Sequence, residues 1–314
     1  MKCSRSRRVV LVDGKNMMFY VQNHRSDVDV VHSFLKRLSS LLEFCDGVPV
    51  LVWEQVVPGK GRAGANWRAS LGTDYAYKGN RTANHHVRFV QRSMPFVAAF
   101  FDFVGMLQVA CENLEADDLI GLLAGEMERR DWKVFIASND RDYYQLASPS
   151  VIVVRPSRSG WQAYDAKRIT EETGIPPEYA AKVKAVCGDT GDNFQPVRGL
   201  GPKTAMQYVM AHGLDPSLPS FNSLPRDVQA KFRAYKKLWS RFHDAYRLGY
   251  LPKDVRNGFY PRELKVRIRR QLRSIVESII GWDEARLRFA RARIVQYCRY
   301  NESRLRDLMG LLRK

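Results

Sequence analysis

Glu115-Ala-Asp117-Asp118 places three acids in four positions of a chain whose formal net charge is +18. Such a cluster repels a phosphate backbone unless positive charge stands between them. A hard divalent cation such as Mg²⁺ suits that task, because it takes carboxylate oxygens and bridges to phosphate. Two further acidic pairs have the same potential. Ser138-Asn-Asp140-Arg-Asp142 follows an apolar run, and Gly188-Asp189-Thr-Gly-Asp192-Asn193 sets two carboxylates among glycines that let the backbone turn tightly. Asp13 ends the run Val9-Val-Leu-Val, and Glu54 ends Pro49-Val-Leu-Val-Trp53. Together these residues point to metal-dependent chemistry on a nucleic acid.

Each of these motifs also has a plainer explanation. A strand ending in Asp13-Gly14 is often only a turn. Acids in the first turn of a helix are ordinary capping residues. Helical geometry puts Glu115 and Asp118 on one face but rotates Asp117 by about 100° from Asp118, so periodicity alone does not aim all three at one point. One cap needs one acid, however, and a triple acid beside a buried apolar helix is costly unless compensated. Gly199-Leu-Gly201-Pro-Lys203-Thr204-Ala205 opens the apolar helix Met206–Met210 and offers free backbone N–H groups and a lysine to a phosphate. It lacks Walker spacing and follows no strand, which excludes a nucleotide-binding P-loop.

The elements that position these acids are legible in the apolar pattern. Arg8–Val12, Val48–Trp53, Leu107–Ala110, Lys133–Ala137 and Val151–Val154 read as strands, with helical spacing over Val28–Phe44 and Leu119–Arg130. Met94–Cys111 is the most membrane-like stretch, but Asp102, Gly105 and Gln108 interrupt it, so it reads as a buried helix leading into a strand. Strand–helix alternation implies an α/β fold with a largely parallel central sheet. Asp13, Glu54, the Glu115 cluster and the Asp140/Asp142 pair each follow a strand, and open α/β sheets bind ligands outside the carboxyl ends of their strands. Four acidic elements thus converge on one edge.

Beyond about residue 180 the pattern is helical, broken by Pro-rich stretches such as Asp215-Pro-Ser-Leu-Pro219. Residues 262–314 hold 15 Lys and Arg against 6 Asp and Glu, half of the net charge. That is either a solvated helical face or, with Trp282, Tyr297 and Tyr300 interspersed, a surface that tracks a nucleic-acid backbone. The overall basic balance favours nucleic acid over an acidic membrane surface. Five scattered cysteines without a Cys-x-x-Cys pair argue against a zinc site or disulfide framework and for a reducing compartment. The basic start Met1–Arg8 is followed by an apolar run that Asp13 ends at once, so no export signal is expected. These features describe a soluble, intracellular protein.

The ordered set Val12-Asp13-Gly, Glu54, Tyr77-Lys-Gly-Asn-Arg81, Glu115-Ala-Asp-Asp118, Asp140-Arg-Asp142, Gly188-Asp-Thr-Gly-Asp192-Asn and Gly199-Leu-Gly-Pro-Lys resembles the structure-specific 5′-nuclease family. That family includes flap endonucleases, the 5′-nuclease domain of bacterial DNA polymerase I and bacteriophage 5′→3′ exonucleases with RNase H activity. The phage branch is the most similar, on length and on Trp67-Arg68…Tyr77-Lys-Gly-Asn-Arg81. The resemblance implies a PIN-like α/β nuclease domain, residues 1–180, and a helical DNA-binding region, residues 181–314. A helix–three-turn–helix over about 185–212 would grip duplex DNA.

The resemblance also implies two Mg²⁺ ions, replaceable by Mn²⁺, with Asp13, Glu54, Glu115, Asp117 and Asp118 serving the first. Asp140, Asp142, Asp189 and Asp192 would serve the second, partly through water. Lys78 and Arg81 would stand against the scissile phosphate, with Tyr77 stacking on a terminal base. Gly199, Gly201, Lys203 and Thr204 would contact DNA, and their loop would hold a monovalent cation such as K⁺. Position 54 is Glu where many members have Asp, and Lys15 stands where a small polar residue is more usual. The segment from Arg81 to Glu115 is short and apolar for a full helical arch.

The function so implied is hydrolysis at or near the 5′ ends of flapped, nicked or RNA-primed duplex DNA, with RNA primer removal in replication as its use. A single-strand binding protein or sliding clamp would be a natural partner, the chain would act as a monomer, and it would work in the cytoplasm, or a host's cytoplasm for a phage protein. Two other readings remain. A non-catalytic DNA-binding protein on a degenerate nuclease fold would lack several of the acids. An RNA-cleaving PIN ribonuclease would carry fewer acids and no helix–three-turn–helix, and would cleave unpaired RNA.

Overall fold

β1 (Arg8–Asp13), β2 (Val48–Val52), β3 (Leu107–Val109) and β4 (Lys133–Ala137) lie within a residue or two of the expected strands, because runs of Val, Ile and Leu buried on both faces suit a parallel sheet. The computed structural model describes residues 7–19, 26–54, 67–70, 85–189, 201–212, 246, 249–300 and 302–311. β5 (Val151–Ser157) runs three residues further than its apolar core, and β6 (Gly160–Tyr164) pairs back on it. The sheet order is β3-β2-β1-β4-β5-β6, parallel throughout except for antiparallel β6. Sequence reading missed β6, an edge strand with no clean alternation. Its signal was Gly160, whose φ of 109° closes the hairpin in a conformation that favours glycine.

Alternate residues of the central strands serve two cores. Val9, Leu11, Val50, Val52, Val134 and Ile136 face α4 (Ala116–Glu128) and α8 (Arg262–Ile280). Val10, Val12 and Leu51 face α1 (Gly14–Phe19), α2 (Asp27–Cys45) and α3 (His85–Val104), with α9 (Glu284–Cys298) and α10 (Glu302–Leu311) packed outside them. α2 starts at a reciprocal capping box: Asp29 N–H donates to Ser26 Oγ at 3.3 Å and Ser26 N–H to Asp29 Oδ2 at 3.0 Å. Its nine buried apolar residues form the stripe that the 3.6-residue period predicted.

α5 (Ala166–Thr173) and α6 (Pro177–Cys187) follow the sheet, and α6 crosses residue 180, where the sequence pattern changes. α7 (Pro202–His212) packs against α6. Residues 190–200, the centre of the expected helix–three-turn–helix, lie outside the described residues. The basic α8 buries Leu264, Ile268, Leu272, Val276 and Ile279 in the same core as the sheet while its arginines stay on the outer face. Among the described residues no helix is long and apolar enough to cross a membrane.

Candidate functional site

The carboxyl ends of β1 and β4 bring Asp13 and Asp140 to one place. Asp13 is 9% exposed; its Oδ1 accepts the Asn16 N–H at 3.0 Å, and its Oδ2 accepts the Tyr143 hydroxyl at 3.0 Å and the Ser138 hydroxyl at 3.2 Å. Asn139 N–H donates to Asn16 Oδ1 at 2.9 Å, which ties the loop after β4 to the turn after β1. Burial pushes the Asp13 carboxyl up to about 6; the Asp140 charge adds to the shift, and the three hydrogen bonds oppose it. Tyr143 stands in the short 3₁₀ turn Arg141–Leu146 and is fully buried. Burial holds its phenol well above the ordinary range, reinforced by the charges of Asp13, Asp117 and Asp140. The Tyr143 hydroxyl thus bonds one carboxylate, Asp13, and feels the charge of two others from separate elements.

The Glu115 cluster is organised differently from what the spacing alone indicated. α4 begins at Ala116, three residues earlier than the apolar pattern, so Asp117 and Asp118 lie in its first turn. Asp118 is wholly buried and accepts Arg68 Nη1 at 2.5 Å, Arg68 Nη2 at 2.9 Å, Trp67 Nε1 at 2.9 Å and the Tyr260 hydroxyl at 3.3 Å. It also caps its own helix, accepting the Glu115 N–H at 3.3 Å. Arg68 Nη1 reaches Glu115 Oε2 at 3.0 Å and stands 3.7 Å from Asp117 Oδ1. The compensating cation for the buried acids is thus a guanidinium, 1% exposed, from the turn Trp67–Ser70. Burial pushes Asp118 towards protonation and the Arg68 charge pulls it back. Capping, the plainer alternative, is real here, and it coexists with an ion-paired network.

The remaining acids pair with lysines. Lys184 Nζ, on α6, bridges Asp142 Oδ2 at 2.6 Å and Asp189 Oδ2 at 2.7 Å. Lys15 Nζ donates to Glu54 Oε2 at 2.5 Å. Among the described residues no group of three or more Asp, Glu, His or Cys side chains is drawn close enough together to hold a metal ion. Gly201, Lys203 and Thr204 are exposed at the start of α7, and a Cβ built on Gly201 meets nothing within 4 Å. Tyr77, Lys78, Arg81, Asp192 and Gly199 lie outside the described residues. Pattern reading gave no role to Arg68, Tyr143, Lys184, Ser138 or Tyr260. Only the surplus of acid around Glu115 signalled that a buried cation was needed.

The donor chemistry of this edge fits a hard divalent ion: every candidate ligand is a carboxylate, and Asp13 is a buried one. Comparison with known proteins identifies the fold. T5 D15 protein co-crystallised with metal ions has the same fold, with a TM-score of 0.64 and 20% identity over 90% of this chain and 100% of that one. T5 5′-exonuclease with bound zinc superposes with a TM-score of 0.65 at 18% identity, over 87% and 98%. By sequence, the chain is 27% identical over 242 residues to a 5′-3′ exonuclease of Bacillus subtilis, covering 72% of this chain and 78% of the relative. DNA polymerase I of Thermus filiformis is 29% identical over 214 residues, 66% of this chain but only 24% of that much longer protein. The chain thus spans about a quarter of the polymerase relatives it matches. Residues 8–174 match the model of the 5′-3′ exonuclease, N-terminal resolvase-like domain, and the chain belongs to the 5′-3′ exonuclease family.

Proposed function

We propose that the chain is a divalent-metal-dependent 5′-nuclease that hydrolyses phosphodiesters at or near the 5′ ends of flapped, nicked or RNA-primed duplex DNA. The observation that carries this reading is the buried Asp13 carboxylate at the carboxyl edge of the sheet, held by the Tyr143 and Ser138 hydroxyls on the loop that also carries Asp140. In this reading Asp13, Asp117 and Asp140 face the ions, with Glu54 beside them. Asp142 and Asp189, with Asp192, form the second group. Glu115 and Asp118 hold the Arg68 anchor beneath them. Mg²⁺, or Mn²⁺ in its place, supplies Lewis-acid activation of water and charge neutralisation at the phosphate.

The chain's own residues fix the geometry. Tyr143, Ser138 and the Asn16 N–H orient the Asp13 carboxylate from both sides. Lys78 and Arg81 place positive charge against the scissile phosphate, and Tyr77 stacks on the terminal base. Gly201, Lys203 and Thr204 at the start of α7 would take a duplex phosphate together with Gly199, and K⁺ would be a further ion there. Removal of RNA primers during replication, in the cytoplasm and in company with a single-strand binding protein or clamp, is the use that fits. A related structure supports the substrate class: a T5 D15 flap endonuclease variant forms a pseudo-enzyme-product complex with DNA and metal ions.

Asp140→Asn tests the reading. With Mg²⁺ present, the variant is expected to lose at least about a hundredfold in cleavage of a 5′-flapped or RNA-primed duplex while binding it with unchanged affinity. Wild-type cleavage should stop in EDTA. Full activity in the variant, or cleavage that survives EDTA, overturns the proposal.

A further inference from the structure

Lys15 and Glu54 touch across the carboxyl ends of two neighbouring strands. β1 and β2 are parallel neighbours with Asp13 in register with Val52, so the residues two beyond each, Lys15 and Glu54, leave the sheet side by side. Gly14 makes the approach possible: a Cβ there would fall 2.5 Å from the Trp53 ring, so α1 can start flat against that ring only with glycine. Lys15 Nζ then sits 2.5 Å from Glu54 Oε2, with the side chains 28% and 24% exposed. An aspartate at position 54 would end about one bond length short and miss this contact unless the backbone moved.

We propose that Lys15 is a built-in counter-ion for Glu54 that competes with divalent metal for its carboxylate, stabilising the metal-free site and weakening metal binding. The inference rests on the metal-dependent reading above. An ammonium in contact brings the local charge of this ligand to zero, so an incoming cation must displace Lys15 or share Glu54 with it. Partial shielding from water makes the competition stronger than between surface charges. The longer glutamate and the lysine are thereby one coupled device, tuned to let the site load only where divalent ion is plentiful.

The test uses the full chain, with Mn²⁺ as the titrant in calorimetry and Mg²⁺ in thermal melts. Lys15→Ser is expected to bind Mn²⁺ about tenfold more tightly, to melt lower than wild type in EDTA, and to show the larger rise in Tm on adding Mg²⁺. Lys15→Arg, which keeps the charge, should behave as wild type. In a double-mutant cycle Lys15→Ser and Glu54→Asp should be non-additive in Mn²⁺ affinity. Equal or weaker Mn²⁺ binding by Lys15→Ser, or strict additivity, overturns the inference while leaving the nuclease reading intact. A wild-type chain that takes up no Mn²⁺ overturns both.

Discussion

Asp13 is a carboxylate pulled in two directions, desolvated by its burial yet held by three donors, with the balance leaving its pKa at about 6 against an ordinary 3.8. A raised folded-state value means the protonated form is favoured by folding. The associated stability is fully present below about pH 4 and is lost as pH climbs through about 6, a swing of about 3 kcal/mol. In EDTA, Asp13→Asn should therefore gain on the wild type as pH rises from 4 to 7, by a few degrees in Tm. Melting curves at pH 4, 5.5 and 7 would check this, and a difference that stays flat would sink it. Asp13 itself was visible in the sequence as an acid closing a strand. Its partners Ser138 and Tyr143 were not, because they lie 125 and 130 positions away and are ordinary hydroxyls until the fold brings them in.

At the scale of elements, the N-terminus of α4 and the turn Trp67–Ser70 form one unit through Arg68. Replacing a buried partner of this kind strands its carboxylates in the interior. Arg68→Met is expected to cost about 3–5 kcal/mol of unfolding free energy, measured by urea denaturation, whereas Tyr260→Phe, which removes one long hydrogen bond, should cost about 1 kcal/mol. Equal effects from both would show that the guanidinium is not the keystone of the network. Strands and amphipathic helices were readable because their periods repeat over many residues, and α2 differs by only one residue at each end. The anchor was hidden for the opposite reason. A single arginine carries no period, and nothing in Trp67-Arg68 distinguishes a buried guanidinium from a solvated one. β6 escaped notice because an edge strand need bury only one end.

For the molecule as a whole, a net charge of +18 sets how it meets a polyanion. Duplex binding in EDTA should weaken linearly in log–log terms with salt, by at least about a hundredfold between 50 and 200 mM KCl, and Lys203→Ala should shallow the slope by about one. Fluorescence anisotropy would measure both, and a change of less than tenfold would place the basic surface outside the interface. The hydrogen bond from Tyr260 to Asp118 spans 142 positions, and the helix that follows Tyr260 lines the same core as the sheet. Domains emerge from the ribosome N-terminus first. Every acid of the candidate site is therefore synthesised well before the last donor that steadies the Glu115 cluster, so a nascent chain carries its chemistry unassembled. The core beneath the candidate site is thus closed only after the chain has been made past Tyr260.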